Sequence, residues 1–382
     1  MRGQTVLILG GGVGGVVAAN ALRRRLHRHH RIVLVDREPS FALAASFVWV
    51  MTGARRPEQI SRPLARLKRK GIEVIHGEVQ RIDPSRKQAV VGGRTLEADH
   101  LVVALGAEFR PEVIPGLGEW GQTFCTLEGA TRLRGVLEDF RSGRVLLLTA
   151  APAYKCPAAP YEGAMLIDAL LRKRGVRRSV AIELHSAEPG PMGVAGPEAS
   201  AAVRAMVEGK DIVYRPDHQI ARAEAGRVTF TDGAGVDCDL LVHVPPIAPP
   251  PALRGSGLVD ESGWVRVDRH TLETPFPGVY AVGDVTIIPL TMGKPLPRAG
   301  VFAHAQSEVV ARNIAASVAG KERAARFDGR GACFVETGDG RAGFGSGDFF
   351  AEPRPAVTMR RPAWYWHAGK VLFEKQVMWA WL

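Results

Sequence analysis

Four cysteines carry the most distinctive chemistry in this chain: Cys125, Cys156, Cys238 and Cys333. There is no Cys-x-x-Cys and no His/Cys cluster at zinc-ligand spacing, so no metal is expected. Four scattered cysteines in so long a chain do not make the disulfide framework of a small secreted domain. Any disulfide among them is expected to be catalytic rather than structural. Cys156 has the most telling position. Residues 145–148 read as a strand, and a helix is predicted from about Tyr161. The turn between them is Thr149-Ala-Ala-Pro-Ala-Tyr-Lys-Cys-Pro157. A dinucleotide-binding turn at that place needs glycines, because its backbone must come close to a pyrophosphate. Ala150, Pro152, Tyr154 and Lys155 block or reshape that approach, and a sulfur stands beside them.

Near the N-terminus the glycines are present. Gly10-Gly-Gly-Val-Gly-Gly15 contains G-x-G-x-x-G at Gly10, Gly12 and Gly15. It follows the predicted strand 5–9 and opens a helix, so Gly10 permits the turn, Gly12 the close approach and Gly15 the helix–strand packing. The helix N-terminus would then face phosphates with free N–H groups. A second strand, 32–35, ends in Asp36, at the place where an acid accepts from ribose hydroxyls. Two later segments, Leu101-Val-Val-Ala-Leu-Gly106-Ala and Gly278-Val-Tyr-Ala-Val-Gly283-Asp284, read as strands that end in small-residue turns. Pro295-Leu-Pro-Arg298-Ala-Gly300 precedes a predicted helix, 301–319, whose positive end would stabilise a nearby anion.

The elements that must position these residues suggest an α/β fold. At 382 residues and 46% apolar content the chain has room for two or three globular domains. Its net charge is +11, part of it in Arg23-Arg-Arg-Leu-His-Arg-His-His-Arg31. That run reads as a solvated helix end or as attraction to an anionic lipid surface or acidic partner. No nucleic-acid motif accompanies it, so no nucleic acid is expected. The first strand begins almost at the N-terminus, so no signal peptide is expected. No run of about 18 apolar residues occurs, so no spanning helix is expected.

The three internal signatures, in order, resemble those of two-dinucleotide-binding-domain flavoproteins. The resemblance implies FAD, with Asp284 on its ribityl chain and Arg298 near its pyrimidine end. A narrower resemblance follows. Ala153-Tyr-Lys-Cys156-Pro-Ala-Ala-Pro-Tyr-Glu162 and Gly331-Ala-Cys333-Phe334 look like the two redox-cysteine segments of sulfide:quinone oxidoreductases and of the flavoprotein subunit of flavocytochrome c sulfide dehydrogenase. It runs over essentially the whole chain. It implies that Cys156 and Cys333 form a disulfide beside the flavin and that hydrosulfide attacks it by thiol–disulfide exchange. It assigns to Cys333 the thiolate that hands electrons to the flavin. Nearby cations or a helix N-terminus would favour that thiolate. Glu162 becomes a candidate proton acceptor, its bland alternative being an acid at a helix N-terminus. Cys125 matches a third family cysteine, and Cys238 matches nothing and reads as packing. A histidine often found four residues after the third cysteine is Gly129 here, which puts a histidine-assisted step in doubt. His185 could stand in, but an ordinary strand-end histidine is the plainer reading.

Residues 41–49 lack the cysteine to which many cytochrome-linked relatives attach FAD, which favours quinone as acceptor. Phe334 matches a family position that stacks on the quinone head, and Phe350 adds an aromatic nearby in sequence. Residues 363–382 hold four of the seven tryptophans, and Phe373, Val377 and Trp381 form one helical row. That suits a monotopic, peripheral anchor at the cell membrane; a helix packed on the core is the alternative. The expected architecture is two Rossmann-like domains with a C-terminal membrane-associating segment. An FAD domain is split over 1–110 and 261–320, a second domain without the NADH glycines covers 111–260, and residues 321–382 form the quinone- and membrane-associating region. Expected partners are sulfide, quinone and a membrane surface, with self-association left open. The alternatives are a soluble flavocytochrome c-type sulfide dehydrogenase flavoprotein, a type II NADH dehydrogenase-like enzyme, and a flavin-containing scaffold without turnover.

Overall fold

Two parallel sheets organise the computed structural model, which describes residues 3–382. The first runs in the order Val279–Ala281, His100–Val103, Thr5–Leu9, Arg31–Asp36, Glu73–His76, every neighbouring pair parallel. Its inner strands are runs rich in Val, Ile and Leu buried on both faces, as parallel sheets between helices require, while the edge strand Glu73–His76 is partly exposed. Helices Val13–Arg25 and Gly300–Val318 cover one face and pack on each other, with Ser307 Oγ donating to the Gly14 carbonyl at 2.8 Å. The chain therefore leaves this sheet after residue 103 and returns to it at 279.

The second sheet holds Gly121–Gln122, Leu240–Val244, Gly143–Thr149, Val180–His185 and Val213–Arg215 in that order, again all parallel. Helix Ala159–Lys173 crosses over from Gly143–Thr149 to Val180–His185. It starts two residues earlier than the sequence suggests, with Pro160 in its first turn, where a missing N–H costs nothing.

The C-terminal part is an antiparallel sheet, Arg330–Gly338, Arg341–Asp348 and Ala356–Ala363, followed by helix Trp364–Ala380. This helix is inside-out. Lys370 and Glu374 are buried against the body, while Trp364, Tyr365, Leu372, Phe373 and Trp379 face outward, Trp379 with 85% of its surface exposed. The row Phe373–Val377–Trp381 is therefore not the outward face. Val377 lies in the core, and Trp381 packs on Phe41 and His304. Polar anchors won the inner side: Glu374 accepts from Ser46 Oγ at 2.6 Å and from Arg55 Nε at 2.7 Å. Among the described residues, no helix is long and apolar enough to cross a membrane.

Candidate functional site

The glycine turn sits at the carboxyl end of the first sheet. Gly10 has φ +107°, and a Cβ there would meet the Ala104 carbonyl oxygen at 2.3 Å. A Cβ on Gly15 would lie 1.7 Å from the Gly10 oxygen, so close helix–strand packing excludes any side chain. Gly12 differs: a Cβ there would meet nothing within 4 Å, so its backbone borders open space. The helix that follows has no side-chain cap, which leaves its first N–H groups free. Asp36 ends its strand beside this turn and accepts from the backbone of Gly11 and, at 2.6 Å, of Glu38.

The other two signatures converge on the same end of the sheet. Gly106 has φ +70° and open space around it. Gly283, φ +76°, donates to Gln306 Oε1 at 2.7 Å and turns the chain toward Asp284. Desolvation raises the Asp284 carboxyl above the usual range, while the charges of Lys155 and Arg298 oppose that shift. Gly283, Asp284, Arg298 and Ala299 line one narrow cleft. Helix Gly300–Val318 opens there without a side-chain cap. Arg298 itself is engaged elsewhere: Nε donates to the Asp284 carbonyl at 2.9 Å and its guanidinium lies 3.8 Å over the Trp264 ring.

The turn at 149–158 is filled by its own side chains. Tyr154 donates to Glu188 at 2.7 Å, and Lys155 donates to the Ala107 carbonyl at 3.0 Å. The Cys156 N–H donates to the Arg298 carbonyl at 2.8 Å. The turn thus clasps the segment that leads into helix Gly300–Val318. Cys156 itself adopts φ +58°, a left-handed conformation that costs a non-glycine residue on the order of 1–3 kcal/mol.

Cys125, Cys156 and Cys333 border one apolar cluster. The Cys156 thiol feels the charges of Cys333, Glu162, Lys370 and Cys125, and the Cys333 thiol those of Glu162 and Lys370. All four cysteines of the chain are thiols in this structure. Burial pushes Cys125 up to about 11 and Cys333 up to about 12, and it raises Cys156 well above the usual thiol range. The expectation that nearby cations or a helix N-terminus favour the thiolate is thus outweighed: desolvation is the larger effect, and Lys370 only opposes it. Cys238 is buried in a separate apolar cluster with Leu146, Val228 and Phe230.

Glu162 sits in the first turn of helix Ala159–Lys173 and is fully buried. Its Oε1 accepts from Lys370 Nζ at 2.7 Å and from the Glu336 N–H at 2.9 Å. Desolvation raises Glu162, and Lys370 and the Glu336 N–H oppose it. Burial alone would lower the Lys370 ammonium, but Glu162, Glu336 and Cys333 around it raise it.

Phe334 follows Cys333 on a strand, so the two side chains leave opposite faces. Phe334 packs toward Gly369 of the C-terminal helix and lies 5.3 Å from Phe344, which stacks on Trp366 at 4.3 Å. The Trp366 Nε1 is buried without a hydrogen-bond partner. Phe350 does not share this surface. It lies at the far end of the same hairpin, 5.3 Å from Phe327, with Arg269 stacked over it at 4.6 Å. At Gly129 any Cβ would lie 2.5 Å from the Thr123 carbonyl oxygen, so the turn itself excludes a histidine. His185 pairs with Glu183 at 3.0 Å and stacks on Phe230 at 5.1 Å, as a structural strand-end histidine.

Sequence reasoning missed Lys370, Glu336 and His367, and read Lys155 only as a residue that blocks the nucleotide turn. The spacing of His367, Lys370 and Glu374, a polar stripe inside an aromatic helix, was the available signal for His367 and Lys370. Among the described residues, no group of three or more His, Cys, Asp or Glu could hold a metal ion.

Three comparisons bear on this arrangement. The sulfide-quinone reductase of Aquifex aeolicus is 28% identical over 98% of this chain and 90% of the relative. The mitochondrial sulfide:quinone oxidoreductase of Mus musculus is 26% identical over 91% of this chain and 79% of the relative. The X-ray structure of the Aquifex aeolicus sulfide:quinone oxidoreductase superimposes with a TM-score of 0.89 at 26% identity, covering 99% of this chain and 91% of that one. The family model for pyridine nucleotide-disulphide oxidoreductases matches residues 4–155 and 156–308. On that match, which spans most of its length, the chain belongs to the pyridine nucleotide-disulphide oxidoreductase family.

Proposed function

We propose that the chain is an FAD-dependent sulfide:quinone oxidoreductase that works at a membrane surface through the cysteines 156 and 333. The observation that carries this reading is the convergence of Cys156, Cys333 and Glu162 behind a turn that has lost the nucleotide-binding glycines. Relatives named for sulfide and quinone, matched over most of their length, support it.

The residues present fit FAD. Open space at Gly12 and Gly106, two uncapped helix N-termini and the Asp284 carboxyl form a cradle of the needed polarity. Gly10, Gly12 and Gly15 would hold the pyrophosphate, Asp36 the ribose, and Gly106, Gly283 and Asp284 the flavin half. When bound, FAD accepts an electron pair from the sulfur side and delivers it to the acceptor.

The protein's own residues then do the following. In the oxidised enzyme Cys156 and Cys333 share a disulfide, a neutral group that tolerates burial. Hydrosulfide attacks one sulfur, which leaves a persulfide on one cysteine and a thiolate on the other. Lys370 is the buried cation that offsets the new charge. Glu162, with its carboxyl raised by burial, takes up the sulfide proton. Cys125 borders the same cluster and can receive sulfur in transfer. Phe334, Phe344 and Trp366 form an aromatic wall on the opposite face of the strand, and the unpartnered Trp366 N–H is a donor for a quinone carbonyl. Phe350 has no part in that wall. The outward aromatics of the C-terminal helix dock at the lipid–water boundary. The FAD domain comprises 1–110 and 261–320, the second domain 111–260, and the acceptor- and membrane-facing region 321–382.

The test is anaerobic bleaching of the flavin band. Sulfide bleaches it, NADH does not, and a short-chain quinone restores it. Cys156→Ala and Cys333→Ala stay yellow and lose the sulfide response. Bleaching by NADH with none by sulfide ends this reading.

A further inference from the structure

Glu336 and His367 lie outside the chemistry assigned above. Glu336 has 1% of its side chain exposed, and both of its oxygens lie near His367 Nδ1, at 2.9 and 3.2 Å. Its backbone N–H donates to Glu162 Oε1. Lys370 feels the charges of both acids and of Cys333. His367 sits on the C-terminal helix with 32% of its side chain exposed, edge-on to Trp49. It lies one residue from Trp366, in the aromatic wall. The groups thus form a graded series: cysteine pocket, buried Glu162, buried Lys370 and Glu336, half-exposed His367.

The charge count makes this series a proton store. Two buried carboxylates share one ammonium, Glu162 in contact with it at 2.7 Å and Glu336 only through its field, which leaves one unit of negative charge. A low-dielectric interior does not tolerate that charge unpaired. A proton shared within the series Glu162, Glu336 and His367, whose outer member meets solvent, would balance that charge. An ion pair built only for stability would need Lys370 and a single acid.

We propose that Glu162, Glu336 and His367, ordered by Lys370, form a proton relay that carries the sulfide proton to the acceptor side of the C-terminal helix. The proposal rests on the functional reading above. The overall balance is HS⁻ + H⁺ + quinone → sulfur + quinol. The sulfide S–H bond breaks, its proton enters at Glu162, and a proton leaves from the His367 imidazole to a quinone oxygen. The electron pair travels separately, and the second proton comes from water.

Two measurements test it. His367→Phe should slow quinone-dependent reoxidation about 10- to 100-fold, the scale of a lost general acid, and exogenous imidazole should restore it. Infrared difference spectra of the flavin-loaded protein, reduced with dithionite, should show a carboxyl band that is lost or shifted in Glu336→Gln. Wild-type reoxidation in His367→Phe, or identical carboxyl bands in Glu336→Gln and wild type, would overturn the relay. Failure of sulfide to bleach the flavin would overturn the functional reading instead, because the infrared arm does not use sulfide.

Discussion

Lys370 Nζ lies 2.7 Å from Glu162 Oε1, with 5% of each side chain exposed. The pair ties the outermost helix to the helix that begins beside Cys156. Lys370→Met leaves a carboxylate buried without its counter-charge and should cost about 3–5 kcal/mol in denaturant unfolding. Adding Glu162→Gln should recover a large part of that loss. Equal stability of the single and double variants would mean that the two groups are not coupled.

The glycine turn offers a contrast between neighbours. In Gly15→Ala the new methyl group meets backbone, so soluble protein should be lost. In Gly12→Ala the methyl group meets no protein atom, and φ −73° suits alanine. That variant should fold with unchanged apo stability and bind FAD at least about tenfold more weakly, since it narrows the approach to the pyrophosphate. Equilibrium dialysis of both proteins decides; unchanged affinity in Gly12→Ala would move the cradle elsewhere.

Acid should destabilise the second sheet through His243. Burial lowers this imidazole from 6.5 to about 4, and its Nδ1 has no partner. Below pH 6.5 the unfolded chain binds a proton that the folded chain refuses until about pH 4. Stability therefore falls as pH drops through that window, by about 3 kcal/mol for this group. His243→Leu should flatten the dependence of unfolding free energy on pH between 7 and 4. An unchanged slope would place the acid sensitivity on other groups.

Leu372 and Trp379 are exposed to 67% and 85% and touch little of the protein. Leu372→Ser with Trp379→Ser should leave stability within about 0.5 kcal/mol, as surface changes do. Co-sedimentation with anionic lipid vesicles should fall at least about fivefold, from the lost apolar burial. Full vesicle binding by the double variant would shift the docking face away from this helix.

Much of the site could be read from residue order alone because backbone sterics are strict. Gly10, Gly15 and Gly283 stand where positive φ or a close carbonyl forbids a side chain, and such needs leave an unmistakable pattern. Cys156 was legible for the inverse reason: glycines were missing where a nucleotide would need them. The partners of the cysteines were not legible. Lys370 and Glu336 reach Glu162 across 208 and 174 positions of chain, and no local period encodes such a meeting. The helix bearing Lys370 misled for a related reason. Aromatic content alone does not say which face turns outward, and here the inner face mixes Lys370 and Glu374 with Val377 and Met378. Arg298 shows the same limit: its place before the helix was clear, but its stacking on Trp264 came from the fold.

The amide of Cys156 hangs on the carbonyl of Arg298, so the turn that carries this cysteine is stitched to the segment leading into helix Gly300–Val318. An enzyme that exchanged a bulky coenzyme across that seam would have to unfasten it at every cycle. A two-atom reductant such as hydrosulfide needs no such doorway, and the stitch can stay closed while turnover proceeds.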